Sequence, residues 1–197
     1  MITSTSNQQM KQVSALLKKA KERREKQVFV VEGPKMVIEA PAEWLKAVYV
    51  SEFFAEKPEN KAVLHALEDK CKQSQAVYEL VADSVFKSVS DTQTPQGIMA
   101  VVSMPEYQME SLLQGENTHL LILESVQDPG NLGTMVRTGE GAGITGVIMN
   151  KTTVDLFNPK TIRSTMGSIY RVPFMVTDRL TDTMQELKGK GVSLYAA

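Results

Sequence analysis

The sequence predicts an α/β protein made of two tandem units, a small α/β/α domain followed by a parallel-sheet domain. Short apolar runs alternate with helix-patterned stretches along most of the chain, the order that places helices against a sheet. The alternation breaks once, at the polar stretch 103–117 (SMPEYQMESLLQGEN), and then restarts. The chain has 197 residues, 42% of them hydrophobic and 23% charged, which is enough apolar material for one large core or two small ones. These observations set the expected domains at 1–104 and 119–197, with 105–118 as linker.

The first predicted helix is 11–26, KQVSALLKKAKERREK. Val13, Leu16 and Leu17 recur at helical spacing and form its inner stripe. Lys11, Lys18, Lys19, Lys21, Arg23, Arg24 and Lys26 are opposed only by Glu22 and Glu25, so most of these cations lack a neighbour to pair with. The stretch reads either as a solvated helix face or as a phosphate-binding patch, with Lys18, Lys19, Arg23 and Arg24 as candidate contacts. A buried strand over 28–31 follows, and Glu32-Gly33-Pro34 turns it into a helix from about Lys35. Strand 48–50, helix 62–71, strand 77–80, helix 84–89, the turn SDTQTPQG and strand 98–102 complete this unit. The spacing predicts a mostly parallel sheet covered on both faces.

In the second unit, strand 120–123 empties into the turn Asp128-Pro129-Gly130-Asn131, which opens a helix over 132–142 ending on Gly143. Asn131 is the expected N-cap. Arg137 lies on this helix, where open α/β sheets place their sites. Two readings of it stand: a snorkelling or ion-paired surface cation, with Glu124 or Glu140 as partner, or a functional group facing a cleft above the strand ends. Strand 146–149, helix 158–166, strand 172–175, helix 181–188 and strand 192–195 follow.

Composition excludes several classes of function. A net charge of −1 rules out a uniformly basic coat, although local patches survive a neutral total. Cys71 is the one cysteine, so no internal disulfide forms, and His65 and His119 are too few and too scattered for a convincing metal site. No run approaches the length of a membrane span, and the N-terminus lacks the basic-then-apolar order of a secretion signal, so a cytoplasmic protein is expected. Neither the dinucleotide-binding nor the phosphate-loop glycine pattern occurs, which ranks a nucleotide-binding enzyme last.

Four blocks in order carry a family resemblance. Residues 124–143, containing QDPGNLGTMVRTGEGAG, and 158–174, NPKTIRSTMGSIYRVPF, resemble the first two motifs of the SpoU (TrmH-like) RNA ribose methyltransferases of the SPOUT superfamily. RREKQVFVVEGPKMVIEA at 23–40 and SDTQTPQGIMAVV at 90–102 are similar to the substrate-binding domain that precedes the catalytic domain in many of these enzymes. The resemblance implies methyl transfer from S-adenosylmethionine to a ribose 2′-hydroxyl of structured RNA, with rRNA the expected substrate, by a homodimer joined through its catalytic domain.

It also implies roles for particular residues. Arg137 would act at the hydroxyl or the neighbouring phosphate. Since an arginine stays protonated, anchoring and orientation suit it better than proton abstraction. Glu124 and Asn131 would shape the loop around it. Arg163 and Ser164 are expected RNA contacts, whereas Gly167 and Ser168 read as structural. Leu194, Tyr195 and Ala196 would form one wall of the cofactor pocket, which in this family is a trefoil knot. The family's third motif has no counterpart in the sequence. A truncated chain with an incomplete S-adenosylmethionine pocket, inactive by itself, is therefore the expectation. The competing reading is a non-catalytic RNA-binding or ribosome-associated module.

Overall fold

The computed structural model describes residues 1–114 and 117–196. Gly115 and Glu116, which fall in the predicted linker, lie outside the described residues. The chain divides into two compact units, one of residues 1–105 with 157–163, the other of residues 106–156 with those from 164 onward.

The first unit begins with helix α1 (Gln8–Lys18), capped by Asn7, whose side chain accepts from the backbone N–H groups of Gln9 and Met10 at 2.8 and 3.4 Å. Met10, Val13, Leu16 and Leu17 are buried along one stripe, as the spacing predicts. The single helix expected over 11–26 is in fact two. Lys19 takes an extended conformation (φ −123°, ψ 113°) and separates α1 from α2 (Ala20–Lys26). Then come β1 (Val28–Glu32), α3 (Pro34–Glu39), β2 (Leu45–Ser51), α4 (Glu52–Glu56), α5 (Lys61–Ser74), β3 (Val77–Val81), α6 (Asp83–Val89) and β4 (Ile98–Ser103). Lys70 of α5 donates to the carbonyls of Ile38, at 2.9 Å, and Ala40, closing the end of α3. Cys71 is buried on the inner face of α5, and burial pushes its thiol pKa up, the opposite of what a nucleophile needs.

The sheet of this unit runs β1-β4-β2-β3 and corrects the expectation of a mostly parallel sheet. β2 and β3 are parallel, but β4 lies antiparallel between β1 and β2. The reason is local. The turn 90–97 is fastened to the end of β1: Ser90 Oγ and Thr92 Oγ1 donate to the Glu32 carboxylate at 2.7 and 2.9 Å. Gly97 O accepts from Ser51 N, and Ile98 O from Gly33 N, at 2.8 and 2.9 Å. Chain leaving this turn can only re-enter the sheet in the reverse direction. Gly33 and Gly97 occupy positive φ (103° and 82°), and a Cβ on Gly97 would stand 2.7 Å from Phe54 Cβ and 2.8 Å from Ser51 Oγ.

The second unit holds α7 (Met109–Leu112), β5 (Leu120–Leu123), α8 (Pro129–Gly141) and β6 (Gly146–Asn150). After α9 (Pro159–Thr165), which falls mostly in the first unit, it continues with β7 (Phe174–Thr177) and α10 (Leu180–Gly189). Its three strands are parallel in the order β5-β6-β7. The chain after Pro105 already belongs here rather than to a free linker. Leu112 is fully buried with Ile148 and Leu187, and the Tyr107 ring meets Phe174 edge-on at 5.3 Å.

The strand expected over 192–195 does not form. Val192 N donates to Leu187 O and Gly191 N to Lys188 O, both at 3.0 Å, with Gly191 at φ 85°. This is the hydrogen-bonding pattern that closes a helix C-terminus, and the apolar Val192 packs back onto the Leu187 cluster. Its hydrophobicity serves the end of α10, not a sheet.

Gly97→Ala tests the turn that reverses β4. Combining a positive φ with contacts below 3 Å, it should lower unfolding free energy by about 2 kcal/mol, read as a fall in urea midpoint with unchanged slope.

Candidate functional site

The loops at the carboxyl ends of β5 and β6 are tied together through Asn150, the last residue of β6. Its Oδ1 accepts from Ser125 N at 2.9 Å, Thr153 N at 3.1 Å and Thr153 Oγ1 at 2.8 Å, while its Nδ2 donates to Ser125 Oγ at 3.3 Å. Ser125 sits at φ 55°, uncommon for a residue with a side chain, and is held there by these bonds and by a 2.7 Å contact of its hydroxyl with Thr152 Oγ1. Gln127 Nε2 donates to the carbonyls of Ser125 and Thr152 at 3.0 and 2.8 Å, and Val154 N to Val126 O at 2.8 Å. At the neighbouring strand end, a 2.7 Å hydrogen bond from Lys151 holds the Asp178 carboxyl below its ordinary value.

This frame fixes where α8 begins. Asp128, not Asn131, is its N-cap: the Asp128 carboxylate accepts from Asn131 N at 2.8 Å. The helix starts at Pro129, two residues before the cap expected at Asn131, because Pro129 has no N–H to satisfy and a preset φ. Asn131 is therefore a first-turn residue, about 120° around the axis from Arg137. Leu132, Gly133, Val136 and Gly139 form the buried face, and Asn131 and Arg137 both stand on the exposed one.

Arg137 is exposed, and among the described residues neither it nor Glu124 has an ion-pair partner. The paired-cation reading fails at Glu140. That carboxylate accepts from Ser168 Oγ at 2.6 Å, from Arg171 Nη2 at 3.2 Å and from Arg171 Nε. Ser168 is buried and has the structural place expected of it. Glu124 is exposed at the end of β5, on the loop that Asn150 braces.

Among the expected RNA contacts, Lys18, Lys19 and Arg24 are exposed on α1 and α2. Arg23 is corrected: it is only 3% exposed, and its Nη1 donates to the carbonyls of Leu16 at 2.6 Å and Leu17 at 3.3 Å. The break at Lys19 folds α2 back so that a cation reaches the open C-terminal end of α1, where helix carbonyls lack partners. Arg163 of α9 pairs with Asp91 of the turn 90–97 at 3.1 Å, and Ser164 is half-buried.

Leu194, Tyr195 and Ala196, the residues expected at the cofactor pocket, lie in irregular chain after α10, with Tyr195 93% exposed. Among the described residues no group of three or more His, Cys, Asp or Glu side chains stands ready to hold a metal, and no helix is long and apolar enough to cross a membrane.

Known proteins resemble this chain in sequence and in fold. Residues 118–197 match the SpoU rRNA Methylase family, and residues 7–100 match the MRM3-like substrate binding domain. The chain is 36% identical over 194 residues to the 23S rRNA (guanosine(2553)-2′-O)-methyltransferase RlmP of Bacillus subtilis, a match spanning 98% of this chain and 71% of that protein. The chain belongs to the SpoU rRNA methylase family. It is also 38% identical over 94 residues to rRNA methyltransferase 3, mitochondrial, of Homo sapiens, covering 46% of this chain and 22% of the human protein. The crystal structure of the AdoMet-bound rRNA methyltransferase from Sinorhizobium meliloti superposes with a TM-score of 0.80 at 26% identity, over 93% of this chain and 67% of that one. The α/β architecture with its parallel second sheet is thus that of SpoU enzymes.

The strand-end bonds of Asn150, Ser125 and Gln127 are not legible in the sequence, because they join positions some 25 residues apart with no local pattern. Arg23 leaves a faint trace there, being the one cation of its run at the inner angle of α2.

Arg23→Ala should destabilise the first unit by about 1.5–3 kcal/mol, the cost of leaving charge-assisted carbonyl bonds unmade. Lys18→Ala, Lys19→Ala and Arg24→Ala should each stay within about 0.5 kcal/mol of wild type in the same urea titration.

Proposed function

We propose that this chain acts on rRNA as a ribose 2′-O-methyltransferase with S-adenosylmethionine as methyl donor, and that its Arg137 positions the RNA. The observation that carries the reading is Arg137. A cation stands exposed, and unpaired among the described residues, on the helix that follows a braced strand-end turn, in a chain of the SpoU family, while the carboxylate one turn further along is engaged by Ser168 and Arg171. A free guanidinium there is suited to a phosphate or a ribose hydroxyl, which it can hold with directed hydrogen bonds. A 2′-hydroxyl is a weak nucleophile, so its orientation and the neutralisation of the charge that develops on its oxygen are where such a residue contributes. Asn131 and Glu124, in the first turn of α8 and just past the end of β5, would border the same surface.

The first unit supplies affinity. Lys18, Lys19 and Arg24 are exposed near each other along α1 and α2, the arrangement that displaces counterions from RNA. Homodimerisation through the second unit belongs to the same proposal and is supported by the apolar side chains of Met135, Met166 and Val176, which are exposed there.

In single-turnover methylation at saturating RNA by the active protein that carries this chain, Arg137→Ala should lower the rate by roughly 10²- to 10³-fold while folding and RNA affinity stay near wild type. A wild-type rate would reduce Arg137 to a surface cation and favour the non-catalytic RNA-binding reading. Replacing Lys18, Lys19 and Arg24 together by Ala should weaken RNA binding and flatten its salt dependence by about 0.7 to 0.9 in log–log slope for each phosphate no longer neutralised. Sedimentation should show a two-fold species that dissociates on dilution; a monomer at all concentrations would remove the dimer from the proposal.

A further inference from the structure

We infer that the first unit holds a stacking site for one unpaired RNA base, with Phe53 as its platform. The inference rests on the RNA-binding reading above and adds to it a place on the domain and a class of substrate, single-stranded rather than fully paired RNA.

Phe53 is 61% exposed, the most exposed of the unit's aromatic residues among the described large hydrophobics. One exposed aromatic is ordinary by itself. What surrounds this one is not. α4, which carries it, is pinned on both sides: Ser51 Oγ accepts from Phe54 N at 3.2 Å, Phe54 is buried, and Asp83 Oδ1 accepts from Phe53 N at 2.9 Å. The ring is thus presented on a fixed backbone. It borders an open cavity of about 220 Å³ whose other walls include Ser51, Asp83, Phe86, Lys87 and Pro95.

Two cations stand at the ring, beside the carboxylate of Asp83, which the Phe53 amide already engages. Lys57 Nζ lies 4.1 Å from the centroid of the Phe53 ring but takes no part in the cavity wall, so the cation covers one face and leaves the cavity side open. Lys87, exposed, also lines the cavity. A base entering the cavity would stack on Phe53 beside Pro95, and its flanking phosphates would reach the two ammonium groups. Bases held within a duplex cannot reach such a slot, since their faces are already stacked. Loops and bulges can.

The test measures anisotropy of a labelled single-stranded oligoribonucleotide and of a fully paired RNA against the chain, using wild type, Phe53→Ala, Phe53→Trp and the Lys18, Lys19 and Arg24 triple alanine variant. Phe53→Ala should weaken single-strand binding roughly 5- to 100-fold with an unchanged salt slope, leave duplex binding as it was, and be rescued by Phe53→Trp. Wild-type affinity in Phe53→Ala would overturn the inference and leave the RNA-binding reading standing if the triple variant still binds weakly. Equal losses for single-stranded and paired RNA would also overturn it. So would sedimentation showing that Phe53→Ala abolishes self-association and nothing else, which would make the ring a protein contact. No binding of either RNA by wild type would bring down both readings.

Discussion

The carboxamide of Asn150 is the interaction on which the second unit's functional end depends. It takes three donors from two loops and gives one hydrogen back to the Ser125 hydroxyl, so the chain leaving β5 and the chain leaving β6 cannot move independently. Parallel strands create the need for such a brace. Their carboxyl ends all point the same way, and each ends in backbone groups with no ladder partner. By satisfying those groups, Asn150 holds Ser125 in a conformation it would otherwise leave and sets the point at which Asp128 can cap α8. Every side chain that α8 displays inherits its position from that start.

A second constraint works on charge. Arg137 and Glu140 lie three residues apart on one helix, a spacing at which opposite charges ordinarily meet. Arg171 and Ser168 divert the carboxylate with a two-armed contact and a hydroxyl bond. A bidentate guanidinium contact is shorter and stronger than a single exposed ion pair, so the competition for Glu140 has a clear winner. Ser168 and Arg171 thereby act on α8 by engaging the carboxylate that lies one turn from Arg137.

The first unit solves a different problem with similar means. Its reversing turn is fastened by Glu32, which accepts from Ser90 and Thr92, and Asp91 in the same turn engages Arg163. Arg23, from a run of cations that looks uniformly solvent-facing, turns inward to close α1. The other cations of the run, Lys18, Lys19 and Arg24 among them, stay exposed in the same unit whose α4 presents Phe53. Buried and exposed charges are thus interleaved in sequence and sorted only by the fold.

Local pattern determined much of this protein. The apolar runs at 28–31, 98–102 and 120–123 became strands because each is too apolar to leave in water and too short for a helix, and the stripe of Val13, Leu16 and Leu17 became the buried face of α1 for the same reason. The family motifs and Arg137 were equally legible, since they lie in unbroken stretches. Tertiary structure decided the rest. The direction of β4 follows from hydrogen bonds between Glu32 and residues some 60 positions away, which no periodicity encodes. Val192 reads like a strand residue but closes α10, because a hydrophobic side chain records only that it is to be buried, not against what. Whether a charged residue such as Arg23, Arg137 or Glu140 is buried, free or paired depends on which carbonyl or counter-ion the fold brings within about 3 Å, a distance that sequence separation does not measure.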